Sequence, residues 1–182
     1  MGFWKTRGNA VPVLMGVILV IVIVFPRQGR GQEIQINEIA FEEWNLSDGE
    51  EWGNGWVEIK NISDDTLSTH GFSLTLNNAP PWQFPDTLLG INEYLLVWLS
   101  GKDRNSPGRT LHASFTITEE RNAFTIRDDS RNLTLDSVSV AEKMYWDESR
   151  IRFPENSNSW YNSNLRTPGY QNPSPGPWKR VS

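Results

Sequence analysis

Residues 56–61 read Trp56-Val57-Glu58-Ile59-Lys60-Asn61 (WVEIKN). In an extended chain Val57 and Ile59 fall on one face and Glu58 and Lys60 on the other, which is the period of two expected of a half-buried strand. The same reading extends outward. Upstream, Glu33–Phe41 (EIQINEIAF) places Ile34 and Ile36 on one face of a second half-buried strand. Downstream, Phe72, Leu74 and Leu76 alternate with Ser73 and Thr75, and Tyr94–Leu99 (YLLVWL) is apolar on both faces, which predicts a central strand covered on both sides. Leu111, Ala113, Phe115 and Ile117 alternate with His112, Ser114, Thr116 and Thr118, the cleanest strand signal in the chain. Phe124 and Ile126 continue the pattern, Asp128-Asp129-Ser130 marks a turn, and Leu133 with Leu135 opens another strand. Between Leu135 and Val138 the apolar parity switches, which predicts a bulge near Asp136. Met144–Phe153 is less regular and is expected to add an edge strand. Clusters of Gly, Asn, Asp and Pro separate these segments and no helix of normal length is needed, so the fold class is all-β, a sandwich or barrel.

The chain of 182 residues has room for one ordinary domain and a targeting segment. Hydrophobic residues make up 37% and aromatic residues 12%, enough to bury a core. With no cysteine, disulfides, thiolate metal sites and cysteine nucleophiles are excluded, and packing alone must hold the sandwich. The net charge is −5, yet Lys5, Arg7, Arg27 and Arg30 all precede Gln32 and all 22 acidic residues follow it, leaving −9 beyond that point from 13 basic and 22 acidic residues. So acidic a body repels phosphate backbones, which argues against a nucleic-acid partner.

Lys5 and Arg7 precede the apolar run Val13–Phe25 (VLMGVILVIVIVF), and the first acidic residue is Glu33, the charge order of an export signal. At 1.5 Å per residue the run covers roughly 20 Å against a hydrocarbon core of about 30 Å, which suits a signal peptide better than a full span. Gly29-Arg30-Gly31 offers a cleavage site before Gln32, and retention as an N-terminal anchor is the alternative. Either way the remainder lies outside the cytoplasm, and the membrane is met only through residues 13–25. The expected organisation is a signal peptide or anchor over 1–31, a β-sandwich over 32–172 and a Pro-rich tail over 173–182. Thr167–Trp178 (TPGYQNPSPGPW) is too rich in Pro and Gly for a central strand and reads as a strap or linker.

The order of motifs resembles the lamin tail domain family in its bacterial exported form. Ile36-Asn37-Glu38 resembles the family's opening strand, and Trp56–Asn61 the apolar-Glu-apolar-x-Asn strand that follows. Leu67–Leu74 (LSTHGFSL), Trp82-x-Phe84-Pro85, Asn92-Glu93-Tyr94-Leu95, Leu111-His112-x-x-Phe115 and Leu135-Asp136-Ser137-Val138 resemble its successive turns and strands, and Thr167-Pro168-Gly169-x-x-Asn172 its closing motif. The likeness covers about residues 34–172. Each piece is weak alone; their order makes the match specific. Asp65-Thr66 and Ser68-Thr69-His70 stretch the Gly71 turn, and Met144–Arg166 carries extra aromatics, which are departures from the pattern. The resemblance implies an immunoglobulin-like sandwich without catalytic residues, acting as an interaction or tethering domain.

Candidate chemistry is sparse. His70 and His112 are the two histidines, too few for a histidine metal cluster, and zinc lacks thiolate ligands. Glu42, Glu43, Asp48, Glu50 and Glu51 crowd one stretch, where converging oxygens can hold Ca²⁺ or where a solvated acidic loop needs no ion. Glu38 and Glu58 sit among apolar neighbours and serve either as acids and ligands or as acceptors for turn amides and basic residues of a neighbouring strand. Of nine tryptophans, Trp98 is expected in the core, while Trp44, Trp52, Trp56 and Trp82 flank loops, where they stack on a ligand or cap the core. Asn45-Leu46-Ser47, Asn61-Ile62-Ser63 and Asn132-Leu133-Thr134 match glycosylation sequons. The expectation is a non-catalytic envelope module that binds protein or glycan and needs no cofactor. A membrane-held spacer and a hydrolase using Glu50 or Glu51 are the alternatives.

Overall fold

The computed structural model describes Met1 and residues 33–117, 121–141, 148–175 and 180–181. Its strands are β1 (Ile34–Ala40), β2 (Gly55–Asn61), β3 (Leu67–Ser68), β4 (Phe72–Leu76), β5 (Trp82–Gln83), β6 (Leu88–Leu89), β7 (Tyr94–Leu99), β8 (Leu111–His112), β9 (Asn122–Asp128), β10 (Leu133–Val140), β11 (Ser149–Arg152), β12 (Trp160–Ser163) and β13 (Arg180–Val181). One sheet runs β13-β12-β11-β1-β2-β7-β8 and a second runs β10-β9-β4-β5, with β3 and β6 paired separately. Among the described residues only the β7–β8 pairing is parallel. The two main sheets face each other in a sandwich-like arrangement, all-β as the alternation predicts. Ile34, Ile36, Ile39, Val57, Ile59 and Val97 from the first meet Phe72, Leu74, Phe124, Ile126 and Val140 from the second in one apolar core.

β1 and β2 are buried on both faces and are not the half-buried strands expected. The C-terminal segment is the reason: Thr167, Gly169 and Asn172 hydrogen-bond to Glu38, Glu58 and Glu155 across the outer face of the sheet. Trp56 joins Ala40, Trp98 and Leu96 on that outer face in a small apolar cluster, so Trp98 is buried there and not in the main core.

Two bulges meet. On β10 the register passes from Thr134↔Arg127 to Asp136↔Ile126, leaving Leu135 as the extra residue, next to the position that the parity switch predicts. On β1 it passes from Ile36↔Ile59 to Glu38↔Glu58, leaving Asn37 out of the pairing with β2. Asp136 accepts from Ile36 N at 2.8 Å and from Arg152 Nη2 at 2.7 Å, and Arg152 Nε donates to Ile36 O at 2.9 Å. Beside the β1 bulge, the Ile36 N–H is thus satisfied from the other sheet by Asp136, and the Ile36 carbonyl by Arg152 of the neighbouring strand β11.

Three other expectations are corrected. The alternation over 111–118 yields a ladder only at Leu111–His112, because Arg104, in the preceding loop, exchanges backbone bonds with His112, and Phe115 O accepts from Gly101 N. Leu111 and Ala113 still face the core; alternation reports which side is buried, not which strand is the partner. β7 lies next to the short β8 at the edge of its sheet and is half-buried over Tyr94–Leu96, not covered on both faces throughout. β11 is an interior strand between β1 and β12, not an edge. β12 was not expected, and β13, which falls in the Pro-rich tail, pairs with it. Val13–Phe25, Thr118 and residues 142–147 lie outside the described residues.

Candidate functional site

The loop between β1 and β2, residues 41–54, is built on two carboxylates turned inward. Glu43 Oε1 accepts the amides of Asn45 at 2.7 Å and Leu46 at 3.1 Å, while its Oε2 takes Trp56 Nε1 at 3.3 Å and an ion pair with Arg166 at 2.8 Å. Burial alone would raise the Glu43 pKa, but Arg166 and the Asn45 amide outweigh it and lower it. Asp48 Oδ1 caps the amides of Glu50 at 2.8 Å and Glu51 at 2.7 Å, and Oδ2 takes Asn54 Nδ2 at 3.0 Å and Lys102 Nζ at 2.8 Å. Against the burial of Asp48, the Lys102 ammonium and those amides hold it well below the usual carboxylate range. Gly53 N closes the loop on Glu43 O at 2.8 Å.

This frame holds two indole rings in solvent. Trp44 is 54% exposed and Trp52 57% exposed, with Leu46 also exposed beside them. The Trp44 ring lies over Gly53, where φ is +85°, a conformation that favours glycine, and where a Cβ would stand 3.0 Å from two ring carbons and push the ring aside. Of the four tryptophans expected at loops, Trp56 and Trp82 are corrections. Trp56 is fully buried because it shares its strand face with Glu58 beneath the strap, and its indole N–H anchors Glu43. Trp82 is 1% exposed and packs edge-on against Phe84 in the main core, with ring centroids 5.3 Å apart. Neither can stack on a ligand.

Beside the loop is an open groove of about 490 Å³ lined by Asp48, Glu50, Arg104, Asn105, Arg109 and His112. Glu50 is paired with Arg104 and lies 3.1 Å from Lys102, and both cations lower its pKa. Buried His112 places Nδ1 2.9 Å from Ser100 Oγ and 3.8 Å from Asp48 Oδ2, and burial lowers its pKa. In a serine–histidine–aspartate triad the two partners occupy opposite ring nitrogens. Here both address the same one, so the constellation does not relay a proton. His70 is exposed and lies 3.6 Å from Asp86 Oδ2 at a turn.

No group of three or more His, Cys, Asp or Glu side chains able to hold a metal ion occurs among the described residues. Both Asp48 oxygens and one or both oxygens of Glu43 and Glu50 are engaged by protein cations and amides, so the acidic loop offers Ca²⁺ few free ligands. Glu38 and Glu58 are fully buried and accept strap amides. Of the three sequon asparagines, Asn61 is buried, donating to Asp65 O, Leu89 O and Gly90 O, whereas Asn45 and Asn132 are exposed. Lys102, Arg104, Arg166 and Glu155 were not singled out in the sequence: each sits in an irregular segment and acquires its role only through a partner distant in the chain. No family model matches the chain, and no curated protein matches it.

Proposed function

We propose that the chain is a non-catalytic exported module of the cell envelope, an immunoglobulin-like sandwich of the lamin-tail type that binds a protein or glycan through its β1–β2 loop. The observation that carries the reading is the pair Trp44 and Trp52, exposed on a loop whose own carboxylates brace it. Large rings held in water before the ligand arrives lose little conformational entropy on binding and bury much area, the usual property of a recognition hot spot. The family reading is supported by the way its motifs close on one another. The opening Ile-Asn-Glu and the closing Thr-Pro-Gly-x-x-Asn meet at Glu38 and Thr167, 129 residues apart, and Asn61 ties down the turn before β7. Export rests on the charge order around Val13–Phe25, and N-terminal sequencing of the secreted or membrane fraction separates cleavage near Gln32 from retention as an anchor.

The hydrolase reading fares worse. A general acid needs a raised pKa in an open cleft. Glu50 is exposed and lowered, and Glu58, the carboxyl raised to about 8, lies beneath the strap at 0% exposure.

The test is a glycan array together with a pull-down from envelope extract, using the purified protein. A retained glycan or protein that Trp44→Ala and Trp52→Ala both release supports the reading; no retained partner in either assay contradicts it.

A further inference from the structure

Three buried carboxylates stand on or over the outer face of the larger sheet: Glu38 from β1, Glu58 from β2 and Glu155 from the turn after β11. Each accepts a backbone amide of the strap formed by residues 164–175. Thr167 N donates to Glu38 at 3.1 Å, Gly169 N to Glu58, and Asn172 N to Glu155 at 2.8 Å. Thr167 Oγ1 adds a bond to Glu38 at 2.9 Å, and Asn172 Nδ2 reaches the carbonyls of Asn37 and Arg152 at 3.0 Å each. The strap is therefore held mainly by negative groups of the sheet.

The charges do not balance beneath it. Glu38 and Glu58 are direct cross-strand partners. Lys60, from β2, pairs with Glu155, and the Tyr94 hydroxyl, from β7, donates to Glu155 at 3.1 Å. Arg166, on the strap, is committed to Glu43, and Arg152, from β11, turns to the opposite face of the sheet and pairs with Asp136. Glu38 and Glu58 thus face each other out of water; Arg166, bound to Glu43, still attracts Glu38, whereas among the described residues no cation is paired with Glu58. Two like charges so placed cannot both ionise cheaply.

We propose that the strap is a proton-coupled latch: residues 167–172 seat on the sheet while Glu58 carries a proton, and the seat loosens as that proton is lost. Burial, reinforced by Glu38 and Glu155, raises the Glu58 pKa to about 8, and burial raises that of Glu38 as well. With the strap lifted, water reaches Glu58 and its pKa returns toward the ordinary 4.5. Because the closed form has the higher pKa, closure is strongest below about 4.5, weakens by up to about tenfold per pH unit above that, and levels off beyond about 8.

Amide hydrogen exchange of the full chain, corrected for the intrinsic effect of pH, reads the latch residue by residue. Between about pH 6 and 8, protection of Gly169 is expected to fall up to about tenfold per unit, while Leu74 and Ile126 in the opposite sheet hold theirs; Glu58→Gln removes the slope. Gly169 protection that stays constant in the native protein, or an unchanged slope in Glu58→Gln, overturns the proposal. Should that variant fail to fold, a carbon-13 titration of the native protein decides. A Glu58 midpoint near 8 that tracks the loss of Gly169 protection supports the latch, and a midpoint in the ordinary carboxylate range overturns it.

Discussion

Arg152 Nη2 lies 2.7 Å from Asp136 Oδ2, with both side chains buried between the sheets and the guanidinium stacked 4.6 Å above the Trp160 ring. Burial outweighs the attraction in each partner, raising the pKa of Asp136 and lowering that of Arg152. Such a pair contributes little net stability over an apolar substitute, yet removing one member strands the other. Arg152→Ala also frees Ile36 O and Ser157 O, and a loss of about 3–5 kcal/mol in urea denaturation is expected.

The tryptophans separate by burial. Trp82→Ala empties a site in the main core and is expected to cost about 3–5 kcal/mol, while Trp52→Ala, on an exposed ring, is expected to stay within about 0.5 kcal/mol. Thermal unfolding of the two variants checks both. Equal losses would mean that Trp52 is packed and unavailable to a ligand.

Asp48 braces the loop through its charge. Its pKa is lowered in the folded protein, so its contribution is present above the ordinary value of 3.8 and is lost as pH falls below it. Fluorescence of the exposed indoles is expected to shift as the loop loosens in that acid range. Asp48→Ala is expected to produce the loosened signal at neutral pH, at a cost of about 2–3 kcal/mol for the amides and Lys102 left behind.

Much of the fold is legible in WVEIKN and its neighbours, because a period of two reports sidedness directly: Val57 and Ile59 do face the core. The fate of the other face is not legible. Glu58 and Lys60 read as the polar side of a half-buried strand, with Glu58 offered as an acceptor for turn amides, but the groups that cover them, Gly169 and Glu155, lie 111 and 95 residues away in the chain. The β10 bulge shows as a break in parity at Leu135. The one at Asn37 could have been read from the spacing of Ile36 and Ile39, both core residues although they are an odd number of positions apart. At the site, the Trp count flagged aromatic excess, but exposure depends on strand parity and on the strap: Trp56 shares its face with Glu58, and Trp82 is turned inward by its pairing with Leu74. Trp44 and Trp52, on a loop, escape both constraints.

The central claim is that Trp44 and Trp52 together present the binding surface. Its most direct measurement is equilibrium affinity for the retained glycan or protein, compared between the native chain and the Trp44→Ala/Trp52→Ala double variant at matched thermal stability. A loss of about tenfold or more is predicted, equivalent to about 1.4 kcal/mol. Unchanged affinity in a folded double variant would contradict the account.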